Sequence, residues 1–344
     1  MAMAVRTATV APMHLGITMG DPAGVGPEIT CRALAALPAD ERSRIRVFGA
    51  LGVMERANRL CQTRLEFVSD YPKAGVVQVV DVRSPGIESV EPGRASAAGG
   101  AAAYAYVAAA VDASLRNDID CIVTAPLNKA ALNAAGYEFS GHTELLAHLS
   151  GASSSFMLLA SEKLSTVHVS THVSLAGAVQ RATTARVLAT IRAGHEHFKR
   201  MGFERPRIAV AGLNPHCGEG GLFGDEEGRF ITPAIEQARA EGIEASGPIP
   251  GDTVFYRATR GEFDLVVAQY HDQGHIPTKL IAFDTTVNVT LGLPISRTSV
   301  DHGTAFDIAW RGIAQHGNML AAIAYAKRIA AGRTQPVSSN GSRT

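Results

Sequence analysis

Three histidines follow segments of the sequence that are typical of buried β-strands. His172 ends STVHVSTH, His216 ends IAVAGLNPH and His271 ends DLVVAQYH. Ligands of an open α/β sheet bind beyond the carboxyl ends of its strands, so three strands can bring three imidazoles to one ion. Neutral imidazole is a common ligand of Zn²⁺ and similar ions, and three histidines leave a coordination position for substrate. The pattern predicts a divalent metal site, although each histidine alone is explained as well by a strand cap or a hydrogen bond to a loop.

Two further histidines lie near this set. His168 precedes His172 by four residues and is expected on the same strand face, in the core or behind a ligand. His275 follows His271 within YHDQGHIPTK, where a glycine and a proline favour a loop. There it is expected to orient a ligand or to contact substrate. Neither histidine is assigned to the metal.

Candidates for binding an anionic substrate occupy two parts of the chain. GHTE precedes the helical sequence LLAHL, so Thr143 can cap a helix whose free N–H groups attract phosphate or carboxylate; a plain N-cap is the alternative. Lys279, Asn288 and Arg297 follow at intervals of nine residues, each in or beside a short apolar run. Such charges either snorkel at the surface or point into a cleft, where this set suits a phosphorylated substrate.

The usual signatures of a nucleotide-binding loop are absent from the sequence. No G-x-G-x-x-G follows a strand-like segment; GDPAGVGPE comes nearest, but Ile29 stands where the third glycine is required. The sequence also lacks a G-x-x-x-x-G-K-[ST] phosphate loop and a G-x-S-x-G nucleophile elbow. A dinucleotide is therefore expected to bind, if at all, without a Rossmann fingerprint.

Composition excludes several classes of function. The 344 residues contain 32 Lys and Arg against 32 Asp and Glu, a net charge of +0 that favours neither nucleic acid nor an anionic membrane as partner. The four cysteines are scattered without a C-x-x-C pair, which disfavours a zinc knuckle or a disulfide framework and fits the cytoplasm. The opening residues are too weakly basic, and their apolar run too short, for a signal peptide. No uncharged apolar run reaches the roughly 18 residues of a membrane span.

The elements that must position these side chains alternate between apolar, β-branched segments and Ala-rich helical segments, which predicts an α/β layered fold. HLGITMG, RIRVFGA, VVQVVDV and CIVTAP are expected as strands, a long helix is expected around residues 101–115, and IAWRGIA is expected to begin a closing helix. The length allows about two domains. Because the chain has no internal repeat and no low-complexity linker, these domains are expected to be interleaved.

Seven motifs, taken in order, carry a resemblance to a known family: MGDPAGVGPEI, TAPLNK, GHTE, GLNPHCGEGG, GPIPGDT, YHDQGHIPTK and RTSVDHGTAFDIA. The chain resembles the 4-hydroxythreonine-4-phosphate dehydrogenase family of pyridoxal phosphate (vitamin B6) biosynthesis. The resemblance implies a two-domain α/β/α sandwich of the isocitrate/isopropylmalate dehydrogenase-like type, with the active site in the interdomain cleft, and a homodimer whose active site is shared across the interface. The first domain is expected to comprise residues 13–130 and 285–333, the second residues 131–284, and residues 334–344 a tail.

The resemblance also assigns ligands to individual residues. The family's metal ligands fall on His172, His216 and His271, the three histidines already found after strand-like segments, with Zn²⁺, Mg²⁺ or Co²⁺ as the ion. Its substrate-binding residues fall on five positions: His142, Thr143, Lys279, Asn288 and Arg297. A small phosphorylated hydroxy acid is the implied substrate.

Catalysis and cofactor binding are assigned on the same grounds. Lys279 is expected to act as an acid or a charge clamp, and Asp252 of GPIPGDT is a further polar candidate. DHGTAFDIAWRGIA resembles the nucleotide-binding loop of isocitrate and isopropylmalate dehydrogenases, which bind NAD(P) outside the Rossmann scheme. The dinucleotide is expected along this loop, with close backbone approach at Gly303 and polar contacts from His302 and Asp307. A tight turn at the glycine and a helix cap at the aspartate are the alternative, and NAD is favoured over NADP by analogy alone.

The expected reaction is the metal-dependent, NAD(P)-linked oxidation of the secondary alcohol of 4-phosphooxy-L-threonine, with decarboxylation to 3-amino-2-oxopropyl phosphate. HVSTHVSL and HDQGHIP look more like the branch of the family that oxidises D-threonate or D-erythronate 4-phosphate, which stays open as the alternative. Two alternative hypotheses place the protein in other functional classes. DHGTAFDIA disfavours a metal hydrolase with an activated water, and the intact histidines and Lys279 disfavour a catalytically silent binding protein.

Overall fold

The computed structural model describes residues 13–69 and 74–334, and within them the chain forms one twelve-stranded mixed β-sheet. The opening segment and residues 335–344 of the predicted tail lie outside the described residues. The strands are β1 (Leu15–Thr18), β2 (Ile45–Gly49), β3 (Phe67–Val68), β4 (Val77–Asp81), β5 (Cys121–Thr124), β6 (Phe156–Ala160), β7 (Ser165–His168), β8 (Ile208–Ala211), β9 (Ala245–Ile249), β10 (Leu265–Ala268), β11 (Val287–Leu291) and β12 (Arg297–Ser299).

Helices fill most of the connections between strands. They are α1 (Gly26–Ala36), α2 (Ala39–Arg42), α3 (Leu51–Cys61), α4 (Ala97–Leu115), α5 (Lys129–Ala134), α6 (His142–Ser150), α7 (Leu175–Arg181), α8 (Thr184–Arg200), α9 (Thr232–Ala240), α10 (Gly251–Thr259), α11 (His271–Ala282) and α12 (Gly317–Thr334). A short 3₁₀ segment covers Ile87–Ser89, a run of turns covers Pro215–Gly221, and a π-helical turn covers Glu227–Ile231. None of the helices in this described part is long and apolar enough to cross a membrane.

The strand order is β3-β4-β2-β1-β5-β12-β11-β6-β7-β10-β8-β9. Parallel pairs form both ends of the sheet, and the pairs β12–β11, β11–β6 and β6–β7 at its centre are antiparallel. The register there aligns Arg297 of β12 with Thr290 of β11, and Thr290 with Met157 of β6. The boundary predicted between two interleaved domains falls between β11 and β6, whose hydrogen bonds continue the sheet across it. The α/β fold class is confirmed.

Alternation along the strands separates two hydrophobic clusters. Ile208 and Val210 of β8 belong to the larger cluster, whereas Ala209 of the same strand belongs to a smaller one that α10 covers with Val254 and Phe255. Successive strand residues face opposite sides of a sheet, so both faces of β8 are buried. This burial explains why the strands read as nearly continuous apolar runs rather than as alternating ones.

Two local predictions are wrong. YHDQGHIPTK forms α11 rather than a loop; its Gly274 is a packing glycine, since an added Cβ would lie 2.3 Å from His168 Nε2. IAWRGIA does not begin the closing helix, which starts at Gly317. Trp310 has φ +61° and Gly312 has φ +69°, and left-handed backbone interrupts a right-handed helix.

Candidate active site

One cavity of about 740 Å³ collects most of the predicted site residues. It lies over β11 and β12, between α6, α11 and the loop that follows β12. Nine predicted residues line it: His142, Thr143, His172, His271, Lys279, Asn288, Arg297, His302 and Gly303. The predicted substrate residues, two of the predicted metal ligands and part of the predicted cofactor loop thus meet in one place; this cavity is called the substrate cavity below.

The remaining predicted residues lie elsewhere. His216 and Asp252 line a neighbouring cavity of about 640 Å³, and Asp272 lines both cavities. Asp307 is exposed on the loop after β12. In residues 13–69 and 74–334, no group of three or more His, Cys, Asp or Glu side chains is arranged to hold a metal ion. The subunit therefore does not bring the three predicted metal ligands together.

Arg297 begins β12 and is only 3% exposed. Its guanidinium donates to Thr124 Oγ1 at 2.6 and 3.0 Å and to Thr290 Oγ1 at 3.0 Å, and it approaches Asn288 Oδ1 at 3.5 Å. Burial lowers the pKa of Arg297 to about 9, which leaves it cationic at neutral pH. All of these partners are neutral, and a buried charge is costly unless an opposite charge accompanies it. The position is therefore built for an anionic ligand.

The first turn of α6 faces the same cavity. Gly141 is the N-cap residue and the helix has no side-chain cap, so the prediction that Thr143 caps it is wrong: the helix has already begun at His142. Uncapped N–H groups of a first turn attract anions. The Nε2 atom of His142 is buried and has no hydrogen-bond partner in the described chain. Burial and the nearby Arg297 lower the pKa of His142 well below its ordinary value, so its ring is neutral.

Lys279 of α11 is fixed by a residue that the sequence analysis missed. Its Nζ lies 2.9 Å from Asp301 Oδ2, and the backbone N–H of Asp301 donates to Asn318 Oδ1. Thr124, the principal acceptor of Arg297, was also missed. Both residues stand in quoted motifs, Asp301 in SVDHG and Thr124 in TAPLNK, and a polar residue at or just beyond the end of a buried strand was the available signal.

A chain of neutral imidazoles supports His271. The rings of His271 and His275 stack with centroids 3.6 Å apart, and His275 Nδ1 lies 3.0 Å from the His271 carbonyl oxygen and 3.1 Å from His168 Nε2. His168 Nδ1 lies 3.1 Å from the Met157 carbonyl oxygen. Because carbonyl oxygens only accept, both rings carry their proton at Nδ1, and His275 donates to His168. The prediction that His168 is a core residue is confirmed.

Burial keeps these supporting rings uncharged. Burial and then the neighbouring His275 lower the pKa of His168 to about 3, and burial and then His271 lower the pKa of His275 to about 4. His271 itself has Nδ1 2.6 Å from Asp272 Oδ1, which leaves Nε2 as the nitrogen available to a ligand. The His172 and His271 rings lie 6.0 Å apart, a separation compatible with two ligands of one ion.

His216 lies in a loop with unusual backbone geometry. The five residues from His216 to Gly220 all have positive φ, and His216 has φ +52°. Left-handed geometry costs roughly 1 kcal/mol or more for each non-glycine residue. Buried Glu227 accepts from the backbone N–H groups of Leu213 and Asn214, each at 2.7 Å, and so fixes the start of this loop.

The loop after β12 carries the predicted cofactor residues. Its Thr304 carbonyl oxygen accepts from Val25 N–H at 3.0 Å, which attaches the loop to the GDPAGVGPE turn. Gly303 does not have positive φ, and an added Cβ would meet no described atom within 4 Å, so nothing in the described chain requires a glycine here; close approach of a ligand stays a prediction. The alternative that Asp307 caps a helix fails, because residues 308–314 are not helical.

Comparison with known proteins decides the family. The sequence profile described as "Pyridoxal phosphate biosynthetic protein PdxA" matches residues 41–326. The chain belongs to the PdxA family. The family resemblance drawn from the motifs is confirmed, as is the prediction of a dehydrogenase, because related PdxA-family proteins carry dehydrogenase names.

Three relatives show the breadth of names within the PdxA family. The chain is 49% identical to a 4-hydroxythreonine-4-phosphate dehydrogenase of Beijerinckia indica, covering 92% of this chain and 94% of that one. It is 47% identical to a D-threonate 4-phosphate dehydrogenase of Salmonella typhimurium, covering 92% and 98%. A crystal structure of the 4-hydroxythreonine-4-phosphate dehydrogenase from Klebsiella pneumoniae has a TM-score of 0.86 at 43% identity, covering 93% and 100%.

Proposed function

We propose that this PdxA-family protein oxidises the secondary alcohol of 4-phosphooxy-L-threonine with NAD(P)⁺ in vitamin B6 synthesis. The carbon that carries the hydroxyl loses a hydride, which the nicotinamide accepts, and the hydroxyl loses a proton. The product is a β-keto acid, which loses CO₂ to give 3-amino-2-oxopropyl phosphate. D-Threonate 4-phosphate is the second candidate substrate, favoured by the 47% identity to the Salmonella typhimurium protein of that name.

The observation that carries the proposal is the buried Arg297 among neutral acceptors in the substrate cavity. A substrate with a phosphate and a carboxylate supplies the missing anion. Arginine binds either group with two parallel hydrogen bonds, and the first turn of α6 adds backbone donors. Binding energy from the remote phosphate then serves to orient the alcohol.

Lys279 has two tasks in this scheme. Its ammonium group attracts the substrate carboxylate, and it holds a proton at Nζ that can be delivered to the carbon that loses CO₂. Asp301 accepts from the ammonium at 2.9 Å and fixes its position beside Asn288 and the cavity wall. A proton donor is most effective when its geometry is fixed in this way.

A divalent metal ion, with Zn²⁺, Mg²⁺ and Co²⁺ as candidates, is part of the proposal. One subunit forms only part of the site for this ion. His172 and His271 line the substrate cavity, and His216 lines the neighbouring cavity. An ion held by these three histidines would polarise the substrate hydroxyl. We infer that the set is complete only when two subunits combine and at least one histidine comes from the second. Asp252, beside His216, would then join the same site.

The surface of α11 supports a homodimer of this kind. Ile276 and Leu280 of α11 and Phe283, the residue directly after it, are 63%, 85% and 69% exposed, although α11 also carries His271 and Lys279. Large apolar side chains grouped on one helix typically mark a contact between proteins. A two-fold contact over α11 would place a second subunit next to each substrate cavity.

We place the enzyme in the cytoplasm, because none of its four cysteines, all within the described residues, forms a disulfide and two of them, Cys31 and Cys121, are buried as thiols.

The decisive experiment measures NAD⁺ and NADP⁺ reduction with a panel of acids, with and without a chelator. The panel contains 4-phosphooxy-L-threonine, D-threonate 4-phosphate, D-erythronate 4-phosphate and their dephosphorylated forms. Reduction of cofactor that requires both the phosphate and the metal supports the proposal, and the preferred acid selects between the candidates. Release of inorganic phosphate without any cofactor reduction would instead revive the metal hydrolase.

A further inference from the structure

A further cavity, of about 670 Å³, opens where β2 and β4 end. Its walls include Arg56 of α3, Asp81 at the end of β4, Arg83, Glu88 and Trp310. The volume is in the range of pockets for small ligands. None of the residues assigned above to substrate, metal or catalysis lines it.

Trp310 is held in this wall in a strained conformation. It has φ +61°, a value that bulky side chains rarely adopt. Buried Glu28 of α1 accepts from the backbone N–H groups of Trp310 and Gly312, and the indole N–H donates to the Pro22 carbonyl oxygen at 2.9 Å. Strain that the surroundings maintain in this way is concentrated at ligand sites.

The side chains around Trp310 suit a planar base and a ribose. The Arg56 guanidinium lies over the indole ring, 4.1 Å from its centre, and arginine and tryptophan are side chains on which an aromatic base stacks. Asp81 Oδ1 accepts from Leu51 N–H at 2.8 Å, which fixes the carboxylate at the carboxyl end of a parallel strand. A carboxylate in that position binds ribose hydroxyls in dinucleotide-binding sheets.

The charge of the cavity selects among nucleotides. Two arginines, Arg56 and Arg83, are matched by the carboxylates of Asp81 and Glu88. Such a balanced wall favours an uncharged base and sugar over a free polyphosphate. A fixed carboxylate beside the ribose also disfavours a 2′-phosphate through charge repulsion.

The loop after β12 joins this cavity to the substrate cavity. Asp301, His302 and Gly303 line the substrate cavity, and Trp310 of the same loop lines the other. The same loop therefore borders both cavities. We propose that the cavity at Trp310 binds the adenosine part of the dinucleotide and that Asp81 selects NAD over NADP. This inference rests on the proposed dehydrogenase function and assigns the end of the cofactor that does not react.

The chain contains a single tryptophan, so its fluorescence reports on this cavity alone. The protein is titrated with ADP-ribose, NAD⁺, NADP⁺ and AMP, with calorimetry in parallel and no substrate present. ADP-ribose and NAD⁺ should quench the emission saturably, and NADP⁺ should bind with about tenfold lower affinity. Arg56→Ala, at an exposed position, should lower the affinity for ADP-ribose about tenfold. Asp81→Asn keeps a hydrogen-bond acceptor for Leu51 N–H and should reduce the difference in affinity between NAD⁺ and NADP⁺. Arg116→Ala, which removes an exposed arginine paired with Asp118, is the matched control.

The outcomes separate this inference from the proposed function. Quenching and binding as expected, without oxidation of any acid in the panel, would support the adenosine site and reject the dehydrogenase. NAD⁺ that binds by calorimetry with unchanged fluorescence, and equally well to Arg56→Ala, would place the adenosine elsewhere and overturn the inference. Quenching by AMP that NAD⁺ does not displace would also overturn it, because the cavity would then serve a separate nucleotide.

Discussion

The substrate cavity and the neighbouring cavity around His216 are built in different ways. The first takes Arg297 and Asn288 from adjacent strands of one sheet, and the hydrogen bonds and packing within one subunit fix its walls. The second takes His216 from a left-handed loop, next to Asp252 on the surface of α10, and nothing in the described chain brings them to His172 and His271. On this basis we expect substrate recognition to be complete within a subunit and the proposed metal site to depend on the dimer.

The largest effect is expected in the substrate cavity from Arg297→Met. Loss of the buried cation should lower kcat/KM by about a hundredfold or more, ~3 kcal/mol, since the anion loses its charged partner. The free energy of unfolding should change by less than about 1 kcal/mol, because removing a buried cation that has no carboxylate partner relieves a desolvation cost that offsets the lost hydrogen bonds. Steady-state kinetics and urea unfolding measure the two quantities.

Arg186→Met is the matched control. Arg186 donates to the carbonyl oxygens of Val169 and Ser155, so its loss should mainly reduce stability, by about 2 kcal/mol. If Arg297→Met unfolds as easily as this control while its kcat/KM is unchanged, the arginine is structural and the anion site lies elsewhere.

Leu280→Lys on α11 tests the dependence of the second region on a dimer. The charge should raise the dissociation constant of the homodimer about a hundredfold, since an exposed apolar contact becomes a buried ammonium. Sedimentation equilibrium measures the dimer, and equilibrium dialysis should show that metal binding is lost together with it. Leu115→Lys changes an exposed leucine on α4 and should alter neither the dissociation constant of the dimer nor metal binding. A monomeric variant that keeps one tightly bound metal per subunit would refute the shared site.

Glu227→Gln tests the loop that carries His216. Replacing the carboxylate weakens its hydrogen bonds from Leu213 and Asn214 and should cost about 2 kcal/mol of unfolding free energy. Metal affinity should fall about tenfold, and affinity for a phosphorylated substrate analogue should not change. Glu226→Gln, which removes a carboxylate bonded to the Asn214 side chain, is the control. Equal metal affinity in the two variants would show that the loop geometry does not matter to the site.

The smallest effect is expected from Gly274→Ala, which tests the imidazole chain behind His271. The new methyl group would lie 2.3 Å from His168 Nε2, so α11 must move outwards, at a cost of about 1–2 kcal/mol. Gly52→Ala in α3, where an added Cβ meets no described atom within 4 Å, should instead be neutral or slightly stabilising. Thermal unfolding of both variants gives the comparison, and an unchanged Tm in Gly274→Ala would contradict the close packing.

Much of the fold was predictable because its signals are local. Apolar runs such as CIVT and LVVA and the Ala-rich segments between them depend only on neighbouring residues, and they appear as strands and helices. Nine residues that the motifs and the family resemblance assigned to the site line one cavity. The local prediction failed at YHDQGHIPTK, because the reason for Gly274 is the His168 ring, more than 100 residues away in sequence.

The sequence by itself determined the family, the α/β class and the types of side chain available for chemistry, because ordered motifs and short-range periodicity record them. The tertiary structure alone decided that Arg297 is buried without a carboxylate, that Asp301 holds Lys279 and that His216 faces a separate cavity. It also decided that Trp310, a strained residue on the loop after β12, meets Arg56 and Asp81 at the end of β4. Burial, ion pairing and shared cavities arise between residues far apart in the chain, and no pattern along the sequence encodes which distant partner each side chain will meet.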